Sequence, residues 1–278
     1  MTHALILQHR RFADCDLSSL AGLPLGQRQE TAHGLRFAVH EDFVLPESVG
    51  TRLAAQEIDA AVLPDMAFAD LGLIVSDMDS TLITIECIDE IAAGVGLKAQ
   101  VTEITEAAMR GELDFEASLR RRVALLEGLD ERVLQQVYDE VLQLSPGAEA
   151  LLAACREHGV KFMLVSGGFT FFTERLQRRL GLDAHYANEL EIENGRLSGG
   201  LNGCIIDAQA KRDLLVQYRG KLNLKPQQVL AVGDGANDLP MLAEAGIGVA
   251  YRAKPKVQRQ ADACINFGGL ERVAGWFR

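Results

Sequence analysis

From Leu71 onward the chain alternates short apolar runs with longer amphipathic stretches, and this alternation limits its fold more than any other feature. The runs are "LGLIVS" from Leu71, "VKFMLVS" from Val160, "VLAVGD" from Val229 and "IGVAY" from Ile247. Runs without polar alternation suit strands buried on both faces, at the centre of a parallel sheet whose crossovers are helices. A hairpin is also expected, because "ELEIENGRLSG" sets Asn194-Gly195 between two extended pieces, as a type I′ turn requires.

The runs end in chemistry. Asp77 and Asp79 follow the first, Ser166-Gly167-Gly168 the second, and "GDGANDLPM" (Gly233 to Met241) the third. In an open parallel sheet, ligands bind beyond the carboxyl ends of the strands, so these separate segments converge on one crevice.

Between Thr84 and Ser145 only helical periodicity is visible. Ile85, Ile88, Ile91, Ala92 and Val95 recur at helical spacing, and Asp114 is placed to cap the amphipathic "DFEASLRRRVALLEGL". A helical insertion after the first core strand has the form of a cap. The expected division is a catalytic core of 71–84 and 145–278 with a cap of 85–144. Residues 1–70, with strand-like "HALILQH" and "LRFAVHE", a helix-like "VGTRLAAQEI" and "DAAVLP", read as a small α/β module without a chemical motif. Its expected role is an appendage, regulatory or pairing two copies of the chain.

A net charge of −11 over 278 residues, with no basic stripe, speaks against nucleic acid. It leaves room for an anionic substrate, because exposed charges are screened beyond roughly 8 Å. No apolar run approaches a membrane span, and Arg10 and Asp14 interrupt the N-terminal region, against a secretory signal. The five cysteines are far apart and form no CxxC pair, which fits reduced cytoplasmic thiols better than a zinc site or disulfide frame.

Two carboxylates two residues apart at a strand end are costly to bury unless a cation compensates them. Asp77 alone would serve as a helix cap. With Asp79 beside it and Asp234 in the Gly-rich loop, the set offers the hard oxygen ligands that Mg²⁺ takes. A carboxylate beside Mg²⁺ and a phosphate can act as a nucleophile, and its neighbour two residues on can protonate the departing alkoxide and then activate water. Ser166 offers a hydroxyl, and Gly167 and Gly168 let backbone N–H groups approach a phosphate closely at a helix start. Lys211 near a helix start either brings a positive charge to that phosphate or is a solvated surface residue. "GVGLKA" at Gly94 matches a dinucleotide fingerprint formally, but it follows a helix and not a strand. No Walker loop is present, and the six histidines show no ligand or triad spacing.

"DMDST" at Asp77, "SGG" at Ser166, Lys211 and "GDGANDLPM" resemble the four motifs of the haloacid dehalogenase (HAD) superfamily of phosphotransferases. "ECIDEIA" and "GELDFEASLRRRV" are similar, within it, to the phosphoserine phosphatase family. The resemblance covers Leu71 to the C-terminus. It implies a HAD-type Rossmann-like core with an inserted helical cap, and Mg²⁺-dependent hydrolysis of O-phosphoserine, the last step of serine biosynthesis. It further implies Asp77 as nucleophile and Asp79 as general acid/base. Asp77, the Asp79 backbone carbonyl and Asp234 would ligate Mg²⁺. Ser166, Gly167 and Lys211 would hold phosphate, with Asn237 and Asp238 supporting metal and pocket. Glu86 and Arg122 would read the amino and carboxylate groups of serine, and Met109 and Phe115 would line the closed cap. A phosphatase for another small phosphoester, such as phosphohomoserine, would share most of these residues. A signalling receiver domain also accepts a phosphoryl group from a partner on an aspartate, but it is much shorter, has no second aspartate two residues on and has no cap.

Periodicity bears on Arg122. At about 100° per residue it returns to within about 20° of Phe115 on the apolar face, whereas Arg120 and Arg121 point away. An arginine there needs an anionic partner, which a substrate carboxylate would be, or it snorkels to water.

Overall fold

The computed structural model describes residues 3–31, 34–109 and 112–278. Two sheets organise it. The first contains β1 (His3–Gln8), β2 (Arg28–Thr31), β3 (Gly34–Val39) and β4 (Asp59–Pro64), antiparallel in the order β2-β3-β1-β4. Central β1 alternates faces. Leu5 and Leu7 pack with Val49 and Leu53 of the helix Glu47–Ala54, while Ala4 and Ile6 join the cluster that holds Phe68, Trp276 and Phe277.

The second sheet contains β5 (Leu73–Ser76), β6 (Lys161–Phe169), β7 (Ala184–Glu193), β8 (Arg196–Asn202), β9 (Val229–Gly233), β10 (Ile247–Tyr251) and β11 (Ala263–Ile265). Its order is β11-β10-β9-β5-β6-β7-β8, parallel throughout except the β7–β8 pair. This is the α/β architecture with a parallel sheet that the apolar runs predict. β5, β9 and β10 are buried along their whole length, as such runs require. The turn between β7 and β8 has Asn194 at φ 52° and Gly195 at φ 76°, both in the left-handed region. Because β6 lies on one side of β5 and β9 on the other, the chain reverses direction across the sheet at the end of β5, where a crevice opens.

The segment after β5 leaves and re-enters the sheet side by side. Ile83 bridges Leu144, the Thr84 N–H donates to the Gln143 carbonyl (3.0 Å) and the Ser145 N–H to the Leu82 carbonyl (2.9 Å). Between these ends lie the helices Cys87–Gly94, Lys98–Met109, Phe115–Ala124 and Arg132–Gln136. Asp114 caps the third by accepting from the Ala117 N–H at 2.7 Å. Val95, expected on the apolar face, falls beyond the first helix and is exposed, because that helix ends at Gly94. The β7–β8 hairpin braces this helical layer: the Gly128 N–H donates to the Leu197 carbonyl (2.8 Å) and the Glu131 N–H to the Gly195 carbonyl (3.0 Å).

The two sheets meet through buried polar contacts. Arg36, 3% exposed, donates to Asp65 Oδ1 from Nε (3.1 Å) and Nη2 (2.9 Å), and to the Trp276 carbonyl from Nη1 (3.1 Å). The buried Asp59 carboxylate accepts from the backbone N–H groups of Asn266 and Phe267, each at 3.0 Å.

Candidate active site

Asp77 is fixed as β5 ends. Its N–H still donates to the Val232 carbonyl of β9 (3.0 Å), so the sheet itself sets its position. Its Oδ1 accepts from the Met78 N–H at 2.7 Å, the capping bond a strand-end aspartate makes. The chain then makes one wide turn over Met78–Leu82, closed by the Ile83 N–H on the Met78 carbonyl (3.0 Å), with Ser80 at φ 54°. That turn aims Asp79 back into the crevice, where its Oδ1 accepts from the Cys87 N–H at 3.0 Å. A Cβ on Gly168 would lie 2.6 Å from Asp79 Oδ2, so only glycine there admits the carboxylate.

Lys211 reaches the same place from the helix Ala208–Lys221, whose start Asp207 caps by accepting from the Ala210 N–H (2.8 Å). Its Nζ lies 2.7 Å from Asp77 Oδ1 and 2.8 Å from Asp238 Oδ1. Lys211 and Asp238 are both 0% exposed and Asp77 is 5% exposed, so the alternative of a solvated surface lysine is excluded. Burial alone would lower the Lys211 ammonium, but Asp238 and Asp77 outweigh it and hold it above the usual lysine range.

Carboxylates outnumber cations here. Single oxygens of Asp77, Asp234 and Asp238 lie within 4.8 Å of one another, and only Lys211 is ion-paired with any of the three among the described residues. Burial first, then the charge of Asp238, push Asp77 well above the usual carboxylate range. The same two causes raise Asp234 to about 6, although the Thr81 hydroxyl donates to its Oδ1 at 3.1 Å. Three carboxylates against one ammonium leave an excess of two negative charges among hard oxygen donors, which a divalent cation would balance. The Asp79 carboxylate is not in this group. Burial, and secondarily Glu86, raise it to about 7.

The remaining expected residues surround this centre. Ser166 is fully buried and its Oγ accepts from the Gly168 N–H at 2.8 Å. Contrary to the expectation of a helix start, Ser166–Gly168 forms a bulge inside β6, and the helix Thr170–Leu180 begins after it. Phe115, from the helical layer, lies over Gly167: a Cβ there would come within 2.9 Å of its Cζ. Glu86 sits at the rim, where its Oε1 accepts from the Ser80 hydroxyl at 2.7 Å, and its carboxyl is raised chiefly by poor solvation. Arg121 is exposed and Arg122 half-buried, as the helical periodicity requires. The Arg122 Nε donates to its own helix, at the Ser118 carbonyl, over a long 3.4 Å. Among the described residues Arg122 makes no ion pair. Burial lowers its guanidinium, opposed by Asp89, Glu86 and Asp79. Asn237 stands on the turn Ala236–Asp238, its Oδ1 against Gly235, whose N–H donates to Asp238 Oδ2 at 3.0 Å. Met109 ends the helix Lys98–Met109, and its side chain lies outside the described residues.

Three contacts carry no motif of their own. The Thr81 hydroxyl holds Asp234, the Ser80 hydroxyl holds Glu86, and the Cys87 N–H holds Asp79. Ser80 and Thr81 adjoin the aspartate pair, which is the signal for them. A backbone donor such as that of Cys87 leaves no trace in residue type.

A sequence profile for the haloacid dehalogenase-like hydrolases matches residues 71–246, the stretch that holds every cleft residue described above. The chain belongs to the haloacid dehalogenase-like hydrolases. A protein named phosphoserine phosphatase from Polaromonas sp. (strain JS666) is 52% identical over 215 residues, covering 76% of this chain and 91% of that protein. Another of that name, from Albidiferax ferrireducens, is 49% identical over 82% of this chain and 98% of its own length. The solved structure of a HAD family hydrolase from Salmonella enterica subsp. enterica serovar Typhi superposes with a TM-score of 0.89 at 34% identity, over 98% of this hydrolase and 97% of that chain. The likeness to the Salmonella protein therefore includes the first sheet, whereas the Polaromonas protein is nearly spanned by three-quarters of this chain.

Proposed function

We propose that this hydrolase cleaves O-phosphoserine to serine and phosphate with Mg²⁺, through a phosphorylated Asp77, as the last step of serine biosynthesis in the cytoplasm. The observation that carries it is the cleft beyond β5, in which Asp77, Asp79, Asp234, Asp238 and Lys211 converge. The names of relatives about half identical over most of their length support the substrate.

Asp77, Asp234 and the backbone carbonyl of Asp79 are the proposed Mg²⁺ ligands, with Asp238 behind them holding Lys211. When bound, Mg²⁺ neutralises phosphoryl oxygens and the surplus carboxylate charge. Ser166, the Gly167 backbone and Lys211 hold the phosphoryl group, and Asn237 supports the pocket. A carboxylate oxygen of Asp77 attacks phosphorus as the bond to the serine oxygen breaks, and Asp79 gives that oxygen its proton. Asp79 then takes a proton from water, the water oxygen attacks phosphorus, and the acyl-phosphate bond breaks to return the Asp77 carboxylate. A group near 7 suits both halves, being available as acid and as base at neutral pH. Glu86 and Arg122 bind the amino and carboxylate groups of the substrate, with Phe115 and Met109 closing over it.

Residues 71–84 and 145–278 form the proposed core, 85–144 the cap, and 1–70 an appendage that regulates the enzyme or pairs two copies of it. No helix of the described residues is long and apolar enough to cross a membrane. The test is phosphate release from a panel of small phosphoesters, with Mg²⁺ and then with excess chelator. Phosphoserine should stand out and the chelator should stop it; full activity in chelator would contradict the reading.

A further inference from the structure

The bulge in β6 poses a problem that one residue solves. Val165 pairs with Tyr186 and the next pairing is Phe169 with Asn188, so Ser166, Gly167 and Gly168 all stand opposite Ala187. Such a bulge removes backbone groups from the ladder, and a carbonyl left buried without a donor is costly. The Asn188 side chain fills the gap. Its Nδ2 donates to the Gly167 carbonyl at 2.8 Å, and its Oδ1 accepts from the Ile206 N–H at 2.7 Å. Only one orientation of the amide matches donor to acceptor at both ends, and at 1% exposure water does not substitute. Ile206 directly precedes Asp207, the cap of the helix that carries Lys211. Asparagine is disfavoured within strands, so its presence in β7 calls for a cause.

We infer that Asn188 is a positioning residue, which locks the Ser166–Gly168 turn to the start of the Lys211 helix and so fixes the spacing of the phosphate donors. This rests on the reading of that turn and Lys211 as the phosphate site. Asn188 touches no reacting atom. Its amide holds the Gly167 carbonyl, beside the Gly167 N–H that the proposed function gives to the phosphate, and, through Ile206 and Asp207, the helix that delivers the ammonium.

The test measures binding of inorganic phosphate by calorimetry with Mg²⁺, KM and kcat for phosphoserine, and the melting temperature. Asn188→Asp keeps the shape and the bond from Ile206 but loses the donor to Gly167. It should weaken phosphate binding and raise KM by about 10- to 100-fold, the size of loss seen when a residue that orients a metal ligand is changed, carried over here to a phosphate donor. Its Mg²⁺ requirement should stay unchanged. Thr173→Val removes a buried hydroxyl that pairs with His185 Nδ1 (2.9 Å) and likewise joins β7 to the segment after β6. It should lower the melting temperature and leave phosphate affinity alone. If Asn188→Asp does not fold, Asn188→Ala, which admits water, carries the same measurements. A folded Asn188 variant that binds phosphate as tightly as wild type overturns the inference, as does an equal loss in Thr173→Val. Ser166→Ala separates the two levels. Wild-type affinity in Ser166→Ala would overturn the phosphate site and this inference with it, whereas loss there but not at Asn188 overturns the inference alone.

Discussion

The molecule buries charge in two places and treats it in opposite ways. Where the sheets meet, Arg36 spends its donors on Asp65 and the Trp276 carbonyl, and Asp59 accepts from two backbone N–H groups. In the cleft, Asp77, Asp234 and Asp238 share one ammonium, and among the described residues half-buried Arg122 has only a long bond to its own helix. Charge whose hydrogen bonds are met within the fold needs nothing from solution, although burial still raises the Asp59 carboxyl. Charge left in surplus lowers stability and is retained where something from solution supplies the missing partner.

The comparison breaks first on Asp77→Asn. This variant should show no phosphoserine turnover, because an amide cannot form the phosphorylated intermediate. It should also melt higher than wild type in chelator, because one surplus carboxylate is gone. Substantial turnover, or a lower melting temperature in chelator, would put Asp77 in the wrong class. Arg36→Ala should do the reverse. Because Asp65 is 25% exposed and keeps Arg278 at 3.4 Å, the loss of stability should stay below that of a fully buried pair, at about 1–3 kcal/mol. Its kcat/KM measured well below the melting temperature should not move. Loss of activity in the folded variant would mean that the joint between the sheets is part of the catalytic machinery.

Arg122→Ala tests the other arginine. Truncating one side of a desolvated charge pair costs about 2–5 kcal/mol, roughly 30- to several-thousand-fold in kcat/KM. That loss should fall on phosphoserine and spare phosphoethanolamine, which has no carboxylate, and Arg121→Ala should affect neither. Equal losses on both substrates would make Arg122 a brace for the cap.

The smallest effect is in pH. Asp234 is raised to about 6 and Asp79 to about 7 in the metal-free protein, against about 3.9 for an ordinary aspartate. Between those values the folded state binds more protons than the unfolded state. Without metal, stability therefore falls as pH rises from about 4 through 7, and the penalty is fully present above that. Mg²⁺ compensates the ionised carboxylates, so the rise in melting temperature on adding it should be larger at pH 8 than at pH 5. A rise that is constant across this range would mean that the cation binds elsewhere.

Much of this could be read in the residues. β5, β9 and β10 announce themselves as unbroken apolar runs because both of their faces are buried, β6 does so after the exposed Lys161, and Asn194-Gly195 marks the hairpin because few other pairs accept two left-handed residues. β2, "RQET", is an exposed edge strand without a hydrophobic face, and β11 is three residues long, so neither leaves a periodic trace. Asp77, Asp79 and Asp234 stand out through motif spacing, whereas Lys211 is singled out only by the family resemblance. The pairing of Lys211 with Asp238 and the bulge at Ser166–Gly168 depend on contacts between distant segments, which no local pattern encodes.

The antiparallel bridge between Ile83 and Leu144 also bears on how such an enzyme diversifies. A segment whose two ends sit side by side can be lengthened, shortened or exchanged without opening the sheet beneath it. Asp77, Asp79, Ser166, Lys211 and Asp234 all lie outside that segment, whereas Glu86, Phe115 and Arg122 lie within it. Under the roles proposed for them, selection can rewrite which phosphoester is admitted while the hydrolytic apparatus is inherited unchanged.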